Sequence, residues 1–364
     1  MAYNQSRIKQ FRRCQKQYSY RYDTAGQLGL APELEMVRKV KSKGLEKGSW
    51  MHKLMEAHLR EVAGAKTKGW KKVHKRLTKQ FNALFEEEKE MLGDLPGECE
   101  HLFLGYLREE KKTEGRYTVA TLDNGKPAIE FVVEVSLKEF GIQTPFKGQI
   151  DLLVEDHDWG GLWIRDHKNV KNIPSDDERM MSPQNCMYVW ALRQKGYDIR
   201  GFVYNYLRTK PPTIPYVLKR SSAYGAAGTL TQRGSLDTDY YTYIQAIKDA
   251  HGSQWKEWAK RVYKGKLVQL RDRQWMWYRQ VPIPVEDEKI EQALDEFLAT
   301  VRDIERRDLD NPPRSYFYSC RWGCEYHELC TAEFAGLDIE DMIDHDFTFD
   351  DERYSGFQPD LLKE

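Results

Sequence analysis

Asp151, Asp166 and Lys168 are the residues whose types and spacing could do chemistry. They flank the turn signal DHDWGG at 156–161, between two runs, FKGQIDLLVE and LWIRDHKNV, that read as strands. A hairpin centred on that turn, with Glu155 facing Leu162, places Asp151 directly across from Asp166, the two Cα atoms about 4.5–5.5 Å apart. Lys168 lies two residues beyond Asp166 and points to the same face. Facing carboxylates repel unless something cationic sits between them. Mg²⁺ suits this sparse set, since it takes one or two carboxylates and completes its shell with waters and phosphate oxygens. A lysine beside it would orient an attacking water or steady transition-state charge. The same three residues also fit a solvated face with a Lys–Asp pair worth under about 1 kcal/mol. The apolar flank of Ile150, Leu152, Leu153, Leu162, Trp163 and Ile164 argues for burial instead.

A second group is made of sulfur. Cys320, Cys324 and Cys330 fall within eleven residues, one thiol short of a tetrahedral set, and Cys14 at the other end of the chain is the natural fourth. Such a set would staple the two ends together, constraining the unfolded chain by several kcal/mol in the entropic picture. Structural zinc is one occupant, with His327 available as an alternative ligand. The five-residue gap before Cys330 excludes the spacing of a radical-chemistry site. Cys99 and Cys186 read as ordinary buried thiols.

The elements that must position these residues follow from periodicity. Residues 6–22 place Ile8, Phe11, Tyr18 and Tyr20 at loosely helical intervals. A helix after Gly48 carries Met51, Leu54, Met55, Leu59 and Val62 as its apolar stripe. A helical stretch, basic and then acidic, occupies 65–112. In IEFVVEVSL the period changes to two, with Ile129, Phe131, Val133, Val135 and Leu137 on one face; Glu134, on the other, is a further candidate for the metal. After the hairpin, Ser182 suits an N-cap, Pro183 a first helical position and Gly196 a stop. IRGFVYNYLRT is another strand. Residues 221–236 read as a mobile Gly/Ser-rich loop, followed by helices at 237–265 and 285–308.

The expected fold is therefore α/β, with helical additions. Its expected divisions are a basic helical segment 1–45, a core 46–215 with a helical insert at 65–112, a loop and helical extension 216–310, the cysteine cluster 311–335, and an acidic, partly disordered tail 336–364. The 364 residues carry 57 Lys+Arg and 57 Asp+Glu, but the balance hides a polarity. Residues 1–50 hold 11 bases against 4 acids, whereas the stretch after Cys330 holds 11 acids against 2 bases. The basic third is either a solvated face or a footprint for a polyanion. With 40% hydrophobic residues, 21 Tyr and 10 Trp, wholesale disorder is excluded. No apolar run approaches 18 residues and no h-region opens the chain, so a cytoplasmic, reducing location without membrane partners is expected.

Asp151 followed by Asp166-His167-Lys168 resembles the PD-(D/E)XK nuclease superfamily, in which a metal-binding Asp on one strand precedes an acidic-x-Lys on the next. Three further motifs resemble its RecB-like branch, which includes CRISPR-associated exonucleases: Gly48-S-W-M-His52, Gln184-N-C-M-Tyr188, and Ser6-x-Ile-x-x-Phe-x-x-Cys14, where Gln15 stands in place of the usual proline. The resemblance implies a restriction-endonuclease-like core with two Mg²⁺ or Mn²⁺ ions, or one in some states. Their ligands would be His52, Asp151, Asp166 and the main-chain carbonyl of His167. Lys168 would assist hydrolysis of DNA, and Gln184 and Tyr188 would position the strand. It further implies that Cys14, Cys320, Cys324 and Cys330 hold a [4Fe–4S] cluster, although the C-x3-C spacing is looser than usual. Single-strand preference and exonuclease action on DNA ends come with the branch. The segment at 207–247 also resembles an extension of phage-encoded members, which would place the protein with recombination, replication or repair proteins. Two rivals stay open: a structure-specific endonuclease of the same fold, and a non-catalytic DNA-binding scaffold or metal-stapled adaptor.

Overall fold

A computed structural model describes residues 2–39, 42–65 and 67–350. Its strands are β1 (Glu35–Arg38), β2 (Tyr117–Val119), β3 (Ile129–Val135), β4 (Phe146–Asp156), β5 (Leu162–Val170), β6 (Ile199–Arg208), β7 (Tyr278–Pro284) and β8 (Phe347–Asp350). Six of them form one mixed sheet in the order β2–β4–β5–β6–β7, with β3 also paired to β4. The β4–β5 hairpin has the register that the turn signal predicts, from Glu155↔Leu162 to Leu152↔Arg165. Its turn is self-made: Asp156 Oδ1 accepts the N–H groups of Asp158 and Trp159 at 3.0 and 2.9 Å, and Gly160 and Gly161 supply φ values of +72° and +74°.

β5 and β6 run parallel, which requires a crossover. The helix Pro183–Arg193 provides it, opening with proline at its first turn as expected. Ile150, Leu153, Ile164 and Phe202 cover one face of the sheet, together with Met187 and Trp190 of that helix, Ile8 and Phe11 of Gln5–Arg13, and Phe297 and Val301 of Asp287–Arg306. Leu152, Val154, Trp163 and Val203 lie in a second cluster with Ile129 and Leu59. Each such side chain, fully buried, contributes about 1.5–3 kcal/mol, so the hairpin is anchored in both clusters.

Several expectations need correction. The helix bearing His52 starts at Lys43, not after Gly48, because Ser42 Oγ caps the Leu45 N–H and Glu46 falls in the first turn. Its stripe of Met51, Leu54, Met55 and Leu59 is buried, but Val62 at the last position is exposed. The insert forms three helices, Trp70–Asn82, Glu86–Leu92 and Leu95–Glu110. β7 lies in a region read as loop and helix, and pairs antiparallel with β6 from Gly201↔Pro284 to Leu207↔Tyr278. Residues 221–236 hold turns and isolated bridges. They are anchored by the bond from Leu230 N–H to Tyr263 Oη at 3.0 Å and from Tyr243 O–H to the Thr231 carbonyl at 3.1 Å.

The tail, expected to be partly disordered from residue 336, has order in its first half: Glu340–Asp346 is helical and β8 pairs antiparallel with β1, Arg38 opposite Phe347. The acids face outward while Ile343 and Phe347 pack with Tyr20, Met36, Tyr326 and Leu329, so a few apolar anchors outweigh an acidic composition. Residues 351–364 of that tail lie outside the described residues. Among those described, no helix is long and apolar enough to cross a membrane.

Candidate active site

The site is built as a row across three strands. Pairs Ile129↔Leu152 and Phe131↔Ile150 bracket Glu130 opposite Asp151. On the other side of β4, the Leu152↔Arg165 pair brings Asp166 alongside. Three carboxylates therefore stand on adjacent strands, spaced by the 4.7–4.9 Å of the ladder. Glu130 takes φ +47°, the one non-glycine residue with positive φ among those described. A side chain held there stores about 1–3 kcal/mol of strain. Its carboxylate is held at both oxygens, Oε1 lying 3.2 Å from His52 Nδ1 and Oε2 accepting from Gln149 Nε2 at 2.8 Å. The apolar alternation of β3 changes phase at this point: Ile129 belongs to one cluster, Val133 and Val135 to the other.

His52 comes from the Lys43–Val62 helix, docked on β3 by Arg60, which donates to the Ile129 carbonyl at 3.2 Å and to Glu56 at 2.8 Å. His52 Nδ1 is also 3.8 Å from Asp151 Oδ2. Among the described residues, the trio whose ligand atoms all fall within 4.8 Å of one another is His52, Glu130 and Asp151. Such a set can hold a divalent cation.

Asp151 Oδ2 accepts the His167 backbone N–H at 2.7 Å, just past the end of the β4–β5 ladder. Asp166 Oδ1 accepts from Lys168 Nζ at 3.1 Å and from Gln184 Nε2 at 3.2 Å. Its buried Oδ2 lies 2.8 Å from the same Nζ, so the ammonium contacts both carboxylate oxygens. Tyr188, one helical turn after Gln184, lays its ring against Gly148, where a Cβ would come within 3.0 Å of it; that close approach is why glycine stands there. The His167 ring is buried, its Nδ1 2.8 Å from the Asn205 amide nitrogen.

Burial pushes Asp151 up to about 6, with Glu130 adding to it and His52 opposing. Burial likewise lifts Asp166 to about 6 against the pull of Lys168. For His52, burial works against the charged ring, but the Asp151 charge and the Glu130 contact prevail and push it up to about 9. Burial also disfavours the Lys168 ammonium, yet Asp166 and Asp151 raise it above its usual value, so it stays protonated. His167 is driven well below the ordinary range by burial and stays neutral. Without a cation, the row is a crowd of acids balanced by one ring and one ammonium.

His52, Asp151, Asp166, Lys168 and Gln184 thus meet in one place, with Tyr188 against the start of β4. Glu134 does not take part: it is exposed and pairs with Lys147. Glu130 stands in the position imagined for it, and the sequence reading missed both Glu130 and its partner Gln149. Finding Glu130 requires the long-range β3–β4 register, which no turn signal marks.

The four cysteines also come together. Cys14 is an extended break between the helices Gln5–Arg13 and Gln15–Tyr22. With Cys320, Cys324 and Cys330 it lines a cavity of about 440 Å³. Backbone N–H groups of Ser315 and Phe317 point at Cys14 Sγ and Cys320 Sγ at 3.4 and 3.2 Å. Cys99 is fully buried and its thiol is pushed up to about 12 by burial; Cys186 is also buried.

A mixed sheet carrying a row of acids and a lysine is the arrangement of a metal-dependent phosphodiesterase. The family model described as the PD-(D/E)XK nuclease superfamily matches residues 2–331, and the chain belongs to that superfamily. Its members are metal-dependent nucleases using Mg²⁺ or Mn²⁺. No curated protein matches the sequence.

Proposed function

We propose that the protein hydrolyses phosphodiester bonds of DNA at the Glu130–Asp151–Asp166 row. The observation that carries this reading is the convergence of three carboxylates on adjacent strands, Glu130, Asp151 and Asp166, around one histidine and one protonated lysine. A merely structural cluster would pair its acids with cations rather than with one another. The donor set fits Mg²⁺ or Mn²⁺: His52, Glu130, Asp151, Asp166 and the His167 main-chain carbonyl would hold it. When bound, the cation supplies Lewis-acid polarisation of the phosphate and offsets the carboxylate charge. Lys168, fixed by Asp166, places an ammonium where negative charge grows on the phosphoryl oxygens. Gln184 holds Asp166 in place, and the His167 N–H fixes the rotamer of Asp151.

The finer reading is an exonuclease of the RecB-like branch, acting on single strands or ends and encoded by a phage for recombination, replication or repair. The motif order from Ser6 to Tyr188 supports it. The same order supports a [4Fe–4S] cluster on Cys14, Cys320, Cys324 and Cys330. N–H groups aimed at two of the sulfurs suit thiolates that carry charge. Tetrahedral zinc on the same thiolates, with His327 as an alternative ligand, is the rival occupant.

The test compares wild type with Lys168→Ala, both purified without oxygen, on 5′- and 3′-labelled single- and double-stranded DNA with Mn²⁺. Cleavage by wild type alone supports the nuclease, and the ladder separates exonuclease from endonuclease. Equal cleavage by both means a contaminant. DNA binding without cleavage in either would favour a scaffold. Iron and sulfide analysis of the same preparation decides the cluster.

A further inference from the structure

The cross-strand register continues the active row outward. Lys168 pairs with Tyr206, and Tyr206 pairs with Arg279 on β7. Paired residues share a face of the sheet, so Lys168, Tyr206 and Arg279 form a second row beside the carboxylates, with lysine and arginine two strands or about 10 Å apart. Tyr278 and Gln280, on either side of Arg279, both donate to Glu110 on the opposite face, which confirms the parity. Arg179 comes in from the short helix Asp176–Met180, its guanidinium 5.9 Å from the Tyr206 ring. Arg179 and Arg279 share one carboxylate, the largely exposed Asp176, which contacts Arg179 and lies 3.9 Å from Arg279. Arg279 keeps a third of its side chain exposed and rests 5.5 Å from the ring of exposed Trp275. Two guanidiniums facing one carboxylate leave a net positive spot. Beside it lies a cavity of about 360 Å³ lined by Asp176 and Arg179, by residues 281–285, and by the Glu286–Lys289 ion pair.

We infer that Arg279 is a phosphate-binding residue of the cleaved strand, engaging a linkage about one to two nucleotide steps from the scissile phosphate. The inference rests on the nuclease reading and adds to it the side of the site on which the strand lies: over β6 and β7 rather than over β3. Arg279 suits the role because its guanidinium offers a planar fork to phosphate oxygens and its weak, exposed contact with Asp176 is easily exchanged.

The test is a charge-deletion cycle on the full-length protein. Oligonucleotides carrying a single neutral methylphosphonate, one or two linkages to either side of the mapped cut, are cleaved with Mn²⁺ by wild type, Arg279→Ala and Arg279→Lys. In wild type, one of these positions should slow kcat/KM by about tenfold, the scale of one lost phosphate contact. Arg279→Ala should be about tenfold slower on unmodified DNA, mainly through KM, and lose nothing further at that position. Its salt slope for DNA binding should fall by about one. Arg279→Lys should fall between the two. The inference is overturned if Arg279→Ala keeps the wild-type KM and salt slope, or if neutral linkages slow both proteins by the same factor. A wild type that cuts nothing sinks the nuclease reading and this inference with it, whereas a cutting wild type with an indifferent Arg279 sinks the inference alone. Thermal midpoints serve as the folding control, and Arg279→Gln repeats the cycle should alanine unfold the chain.

Discussion

Arg165 and Asp166 are neighbours on β5, both almost fully buried, and they look out on opposite faces of the sheet. Arg165 faces Glu110 at 3.3 Å and rests 4.1 Å from the Tyr117 ring. Glu110 also accepts from Tyr117 O–H at 2.6 Å, Tyr278 O–H at 2.7 Å and Gln280 at 3.2 Å. That cluster ties the insert helix Leu95–Glu110 to β2, β5 and β7, and only Arg165 Nε goes without a bond. Across the sheet, Asp166 shares Lys168 with a row of acids in which Glu130 raises Asp151 and Asp151 raises Asp166. One buried charge meets a single opposite charge and a ring of neutral donors; the other stands in a row of three acids that share one lysine and one histidine. The difference teaches how to tell structural from functional buried charge: by the balance of charge around it, not by how deeply it lies.

The comparison can be broken at either end. Removing one partner of a buried ion pair typically costs about 3–5 kcal/mol, so Arg165→Ala should lower the urea midpoint sharply. The folded fraction should still cleave. A variant with unchanged stability but lost cleavage would move Arg165 into the active site. Asp166→Asn should behave in the opposite way, cutting kcat by at least about 10²–10³-fold while the metal-free protein keeps or gains stability, since one of two mutually repelling acids is neutralised. Denaturation in EDTA reads the second half, and a large loss there would make Asp166 structural. Mn²⁺ at about 100 times its Kd should stabilise wild type by about 2.7 kcal/mol, and stabilise Asp166→Asn less at the same concentration. Equal midpoint shifts would place the cation elsewhere. The smallest effect is expected from Tyr117→Phe, which deletes one hydrogen bond to a charged group, worth about 1.5–3 kcal/mol, and leaves three donors on Glu110. Calorimetry checks it, together with a cleavage rate that should not move.

What was legible in the sequence depended on separation along the chain. The β4–β5 register could be read because one turn of known type joins the strands, and the Asp151, Asp166 and Lys168 geometry followed from it. Gln184 and Tyr188 were legible as a pair one helical turn apart. Glu130 was not, because its position rests on the pairing of β3 with β4 and on a backbone conformation that propensity disfavours. β7 was missed since YRQVPIP carries two prolines and few apolar residues, features tolerated only on an edge strand. The tail was judged by its acids, while its order rests on Ile343 and Phe347 meeting Met36 and Tyr326 from far away in sequence.

The pairing of β1 with β8 has a consequence for biosynthesis. β1 leaves the ribosome early, but its partner β8 is the last strand of the described chain, roughly 310 residues later. At about 5–20 residues per second, Met36 and Tyr20 stay without their apolar partners for about 15–60 s, and Cys14 waits just as long for the last of the other three cysteines. The six-stranded sheet and the helix that covers it are complete by residue 306, so the active site can take shape before the two ends of the chain are joined.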